Sequence, residues 1–263
     1  MANPMRRRGG GTAAVEVEDP ETTPGGNGDQ AEVAEFKSKG RGKKKIEAVV
    51  IPAIETAVVE IEVVGTSPLI VNNFSAKSKQ AILDKQMGKA GIKREKKDPW
   101  ECFRGSLYLM PGKKFPAKKI VRMTNDQEIG DSIPFMKDTF GIPTPAFKNA
   151  MISACRFLDI PMTLVTGAVH VSGFLTPVKY DKLYMREDVV RVGNFPNKTA
   201  DIRHRGMFTE WSTKLKILYN RRILNAAQIA NLLENAGFHV GVCEWRPEKK
   251  GQFGMFAVRR SGA

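Results

Sequence analysis

Apolar and polar positions alternate first at residues 56–64, TAVVEIEVV, where a period of two and β-branched side chains predict a strand. The turn GTSP at 65–68 ends it, and LIV at 69–71 prolongs it after a bulge. A helix is predicted from a Ser75 cap to about Gly88, with Ala76, Ile82, Leu83 and Met87 roughly on one face. The polar, basic stretch 88–99 reads as an exposed excursion, 100–110 fits a short helix or a strand, and 115–120 and 124–132 read as irregular. Thr144-Pro145 marks a helix start, a hydroxyl at the cap followed by proline in the first turn. Phe147, Ala150, Met151, Ala154, Cys155 and Leu158 recur at helical spacing, and Pro161 stops the helix. Residues 162–171 read as a strand, 173–210 as several short extended pieces with basic turns, and 213–220 as an alternating strand. Asn225 with Gln228 forms a capping-box pattern for a helix over 225–236, striped by Ile229, Leu232, Leu233 and Ala236 and ended by Gly237. A glycine-bearing strand pair over 238–259 closes the chain.

The order of these pieces carries more than any one of them. Without two large insertions, at about 72–143 and 173–210, it is β-α-β-β-α-β, which predicts an α+β, ferredoxin-like antiparallel sheet with two helices on one face. The other face is then left for a ligand, as in RNA-recognition domains. Residues 46–263 are expected to form this single domain. Residues 1–45 mix glycine, proline and acids with few large apolar groups and predict a disordered tail. The basic run at 37–45, KSKGRGKKK, is either a solvated linker or an arm that adds phosphate contacts.

Charge narrows the function. Lys and Arg number 42 against 28 Asp and Glu, a formal net charge of +14, which favours a polyanionic partner, nucleic acid before an anionic membrane surface. No apolar run is long enough to cross a bilayer, and the arginines near the start precede no apolar stretch, so neither a span nor a secretory signal is expected. The three cysteines stand far apart without metal-ligand spacing, which predicts a reducing, cytoplasmic setting and no metal or other cofactor. Phosphate-loop, nucleophile-elbow and zinc patterns are missing, and His170, His204 and His239 have no partner assigned by sequence, so a non-catalytic protein is expected.

Candidate contacts follow from position and residue type. Gly241 and Gly254 let another backbone come close, and Arg246, Lys249 and Lys250 put positive charge at the turn between them. The alternative is an ordinary hairpin with glycine for twist and lysine for edge protection. Arg186, Arg191, Arg203 and Arg205 in the second insertion either grip phosphates or pair with Glu187, Asp188 and Asp201. Lys148 sits near a helix N-terminus, where N–H groups favour anions. Phe174, Tyr180, Tyr184, Phe195 and Trp245 are candidates for base stacking by location, but core packing is the preferred reading for each.

Three stretches also carry a family likeness: GTSPLIV at 65–71, GIPTPAFKNAMISACRFL at 141–158 and AGFHVGVCEWRPEKKGQFGMF at 236–256. Their order resembles the repeat-associated RNA-binding (RAMP) superfamily of CRISPR systems, notably its Cas7-type backbone subunits. The 141–158 stretch is similar to that superfamily's proline-led, lysine-bearing first helix, and 236–256 to its glycine-rich loop, though with fewer glycines. The last stretch also resembles the ends of proteins of this type in tailed-phage genomes. The resemblance implies a ferredoxin-like core that holds a single-stranded RNA or DNA backbone, as a homo-oligomer or filament along the strand, in a bacterial host cell if phage-encoded. Two other readings stay open: a phage structural or virion-associated protein, and a RAMP-type nuclease with His204 as base.

Overall fold

Thr56–Gly65 is a strand for the reason its alternation suggests: Ile61 and Val63 are buried while Val58 and Glu60 stay exposed. The computed structural model describes residues 51–74, 76–88, 98–117, 119–193 and 199–259. The predicted tail, its basic run, the Ser75 cap, most of the 88–99 excursion and Phe195 lie outside the described residues. Residues 53–263 form one unit. In chain order its elements are β1 (Thr56–Gly65), β2 (Leu69–Val71), α1 (Ala76–Gln86), α2 (Pro99–Ser106), β3 (Ser132–Pro134), β4 (Gly141–Pro143), α3 (Thr144–Ala154), α4 (Met162–Ala168), β5 (Val169–Val171), β6 (Leu175–Pro177), β7 (Lys182–Val192), β8 (Thr199–Phe208), β9 (Ser212–Asn220), α5 (Ala226–His239) and β10 (Phe256–Val258).

The fold is α+β with antiparallel sheets. The first sheet has the order β10-β1-β9-β5, every neighbour antiparallel. β1 and β5 therefore run the same way with β9 between them, and α3 lies in their connection. β9 and β10 are related likewise across β1, through α5. The two helices pack on each other. Phe147 and Met151 of α3 and Ile229 and Leu233 of α5 share a buried cluster with Val63, Ile217 and Phe256 of the sheet, and each such large side chain stabilises by about 1.5–3 kcal/mol. The cap of α5 is as its sequence suggests: the Asn225 side chain accepts from the Gln228 N–H at 2.9 Å, and the Gln228 side chain from the Asn225 N–H at 2.9 Å.

A second sheet, in the order β2-β8-β7-β3, is built on one long hairpin. β7 and β8 pair from Leu183 and Phe208 out to Val192 and Thr199. This corrects the expectation of short pieces over 173–210. β2 does not prolong β1 either. Trp211, fully buried, donates its indole N–H to the Ser67 carbonyl at 2.8 Å and pins a turn that sends Leu69–Val71 to β8. A third, two-stranded sheet pairs β4 with β6 just ahead of α3.

Several other expectations change. Residues 162–171 hold α4 before β5, and Pro161 serves as the cap of α4 while Val165 and Ala168 bury one helical face. Thr144 is already helical rather than the cap of α3, and its hydroxyl donates to the Gly173 carbonyl. The α-helix ends at Ala154, and a 3-10 turn, Cys155–Phe157, follows. α5 runs through Gly237 to His239, and Gly237 serves packing inside the helix, because the Phe256 carbonyl sits where its Cβ would be. The undecided 100–110 region begins as a helix capped by Asp98. The predicted closing strand pair is a long loop with a single short strand, β10.

Candidate nucleic-acid interface

The loop from 240 to 255 starts where α5 ends. Gly241, at φ +69°, supplies the left-handed residue, and its N–H joins that of Val240 on the Ala236 carbonyl. The loop is then tied down from several sides. Val242 N–H donates to the Gly254 carbonyl, Glu244 N–H to Ile70 and Gly254 N–H to Pro68, at 2.8–2.9 Å. Gly254, at φ +67°, stands so close to Val242 that a Cβ would lie 2.0 Å from the Val242 carbonyl oxygen. The backbone that Gly254 admits is thus the chain's own. Gly241 is likewise crowded by Pro247, Arg246 and Gly254. Cys243, Trp245 and Lys250 also hold positive φ, a conformation that costs a non-glycine residue roughly 1–2 kcal/mol. A loop so strained and so well bonded holds one shape. It presents exposed Lys249 and Lys250, with Trp245 39% exposed.

Beside the loop lies a cleft of about 350 Å³ between α3 and residues 240–248. Asn149 and Ser153 of α3, Asn72 after β2, Tyr108, and Glu244, Arg246 and Glu248 of the loop give it a polar lining. Asn72 donates to Glu244 at 3.3 Å. Glu248 accepts from Arg246 at 2.8 and 3.1 Å on one oxygen and from Arg156 at 2.8 Å on the other. Burial works to raise the Glu248 pKa, but hydrogen bonds from Arg246, Ser153 and Arg156 outweigh it and hold the carboxyl below its ordinary value.

The hairpin arginines divide sharply. Arg186 and Arg205, expected at a phosphate surface, are buried opposite one another on β7 and β8. They face the loop, not solvent. Arg186 donates to Asp126 and, at 2.8 Å, to Asp188, and its guanidinium lies 5.0 Å from the Phe253 ring centre. Burial opposes its charge, yet Asp126 and Asp188 keep its pKa above the ordinary value. Arg205 lies 3.7 Å from Asp188 and 3.9 Å from Glu244. Its Nε and Nη1 have no hydrogen-bond partner, nor has Asp188 Oδ2. Burial, only partly offset by Glu244, lowers the Arg205 pKa. Arg203 is half-exposed and 3.6 Å from Asp201, and Arg191 is exposed. Lys148 turns away from the cleft toward β5, its Nζ 3.2 Å from His170 Nδ1.

No protein-family model matches this sequence, and no curated protein matches it.

The open face of the first sheet is a poor platform for bases. Glu60 stands opposite Lys216, Glu62 opposite Lys214 and Val58 opposite Leu218, with no Phe, Tyr or Trp among its described positions. Of the candidate stacking residues, Tyr180 is core and Tyr184 partly buried, whereas Phe174 is 73% exposed. His204 does have a partner, Glu187 directly across the hairpin at 3.0 Å, but its side chain is only 10% exposed. His239 ends a helix, stacked on Phe157 with ring centres 4.5 Å apart. Burial first, then the Glu244 charge, pushes the Cys243 thiol up to about 12, which leaves it protonated at neutral pH. Among the described residues no group of three or more His, Cys, Asp and Glu could hold a metal ion, and no helix is long and apolar enough to cross a membrane.

Sequence reasoning missed Arg156, Ser153 and Glu248 as one group. The nearest signal was the chemistry of the CEWRPEKKG run at 243–251 itself; Arg156 lies 92 residues from Glu248 and no local pattern joins them.

Proposed function

We propose that this chain is a non-catalytic nucleic-acid-binding protein that grips the phosphate backbone of single-stranded RNA or DNA at the 240–255 loop. The observation that carries the reading is the rigid loop itself, which presents Lys249, Lys250 and Trp245 beside a polar cleft on a chain of net charge +14. Ammonium groups neutralise phosphates irrespective of sequence. An aromatic face adds roughly 1–3 kcal/mol per stacked base. A preformed loop loses little entropy on binding. Arg191 and Arg203, on the outer part of the β7–β8 hairpin, extend the basic surface.

The strand order, with each helix crossing over one intervening strand, supports a ferredoxin-like core of the RAMP type, and a backbone-gripping protein of that type polymerises along its strand. The low exposure of His204 supports holding the strand rather than cleaving it.

Lys249→Glu combined with Lys250→Glu is expected to weaken binding to all single-strand sequences alike. It should also flatten the salt dependence by about 1.4 log units per log unit of salt, at about 0.7 for each phosphate that is no longer neutralised. Titrations of oligo(dT), oligo(rU) and mixed-sequence strands check this. A loss confined to one sequence, or an unchanged slope, contradicts it.

A further inference from the structure

We propose that Arg246, Arg156 and Ser153 form a phosphate cradle at the edge of the cleft, and that the carboxylate of Glu248 occupies it as an internal stand-in which the ligand's phosphate displaces. The inference rests on the nucleic-acid reading above and names the contact and its control.

The donors come from two elements. Arg246 opens the turn Pro247–Lys249 and sends Nε and Nη2 to one Glu248 oxygen, at 3.1 and 2.8 Å. Arg156 reaches the other oxygen at 2.8 Å from the 3-10 turn after α3. Ser153 of α3 lines the cleft beside them and helps hold the Glu248 carboxyl below its ordinary pKa. Guanidinium forks with a hydroxyl form a donor set for a tetrahedral oxyanion as readily as for a carboxylate. The cradle is not sealed: the side chains of Arg246 and Glu248 are 28% and 22% exposed, and both residues line the cleft with Ser153 and Asn149. Glu248 is held by a short turn rather than by a helix or strand, so its side chain can swing out while the arginines stay.

A carboxylate in the cradle matters electrostatically. It neutralises one of two guanidinium charges and uses the hydrogen bonds a phosphate needs. Every phosphate that enters must first release it, so affinity is set below what the arginines alone provide. A purely structural clamp between loop and α3 makes the opposite forecast, because its loss would loosen the loop and weaken binding.

The test compares wild type with Glu248→Gln, which keeps the shape and removes the charge, using fluorescein-labelled oligo(dT) and oligo(rU). E248Q is expected to bind about tenfold tighter, the size set by one charge-assisted hydrogen bond no longer given up. In an Arg156→Ala/Arg246→Ala background the same change is expected to give almost no gain, as a double-mutant cycle requires of an effect routed through those side chains. Inorganic phosphate is expected to raise the melting temperature of E248Q more than that of wild type. Should E248Q fail to fold, Glu248→Asp keeps the charge but withdraws its oxygens, and a smaller gain of the same sign is expected. Affinity unchanged or reduced in E248Q overturns the proposal, as does a gain that survives loss of both arginines. Wild type that binds while E248Q gains nothing removes this proposal alone; if neither protein binds a single strand, the nucleic-acid reading falls with it.

Discussion

Gly254→Ala is expected to melt roughly 4–20 °C below wild type, taking about 2–4 °C per kcal/mol for a domain of this size. Two penalties add. An alanine at φ +67° carries roughly 1–2 kcal/mol of backbone strain. Its Cβ would also sit 2.0 Å from the Val242 carbonyl oxygen, which forces that backbone aside, and overpacking of this kind costs typically about 1–3 kcal/mol. The movement is not local. Val242 N–H bonds to the Gly254 carbonyl, and Gly254 N–H bonds to Pro68, so the loop loses its ties to β2 together with its shape. Binding should fall with folding. A thermal melt measures the first and strand titration the second. A variant with an unchanged melt and lost binding would mean that a ligand's backbone, not Val242, is what the glycine admits.

Asp188→Ala is expected to cost about 3–5 kcal/mol, the usual penalty for removing one partner of a buried ion network. Arg186 and Arg205 would face each other across the hairpin, with Asp126 and Glu244 left to balance them from its margins. Arg205→Met is expected to cost far less. Two of the Arg205 nitrogens have no hydrogen-bond partner, so the native guanidinium already bears a desolvation penalty, and Asp188 keeps its 2.8 Å bond from Arg186 when Arg205 is gone. Urea unfolding of the two variants gives the comparison directly. Equal losses would mean that Arg205 holds the hairpin base to the loop as firmly as Asp188 does.

The parts of the fold that the sequence made legible are those with a strong local signature. β1 and β9 alternate cleanly, and α5 carries a capping box. Their positions, with α3 between them, were enough to suggest a sheet carrying two helices. α4 was hidden because Thr163, Val165 and Thr166 favour strands, while the spacing of buried Val165 and Ala168 shows only once the sheet is in place. The β7–β8 hairpin was blurred because arginine and aspartate alternate on one of its faces, and a buried ionic face looks the same in sequence as a solvated one. This is also why Arg186 and Arg205 were expected at the surface. Gly254 does admit a close backbone, but that this backbone is Val242 of the same chain is a tertiary fact. Lys249 and Lys250 needed no tertiary knowledge, since a charged turn stays exposed, whereas Trp245 was expected in the core and only the structure shows it exposed.

On the proposed function, the 240–255 loop holds the backbone of a single strand through charge. Fluorescence anisotropy of the full chain with single-stranded RNA, single-stranded DNA and duplex DNA, repeated over a salt series, tests it most directly. Tighter binding to single strands than to duplex is expected, with affinity falling steeply and linearly in log–log form as salt rises. No binding at moderate salt, or binding indifferent to salt, would contradict it.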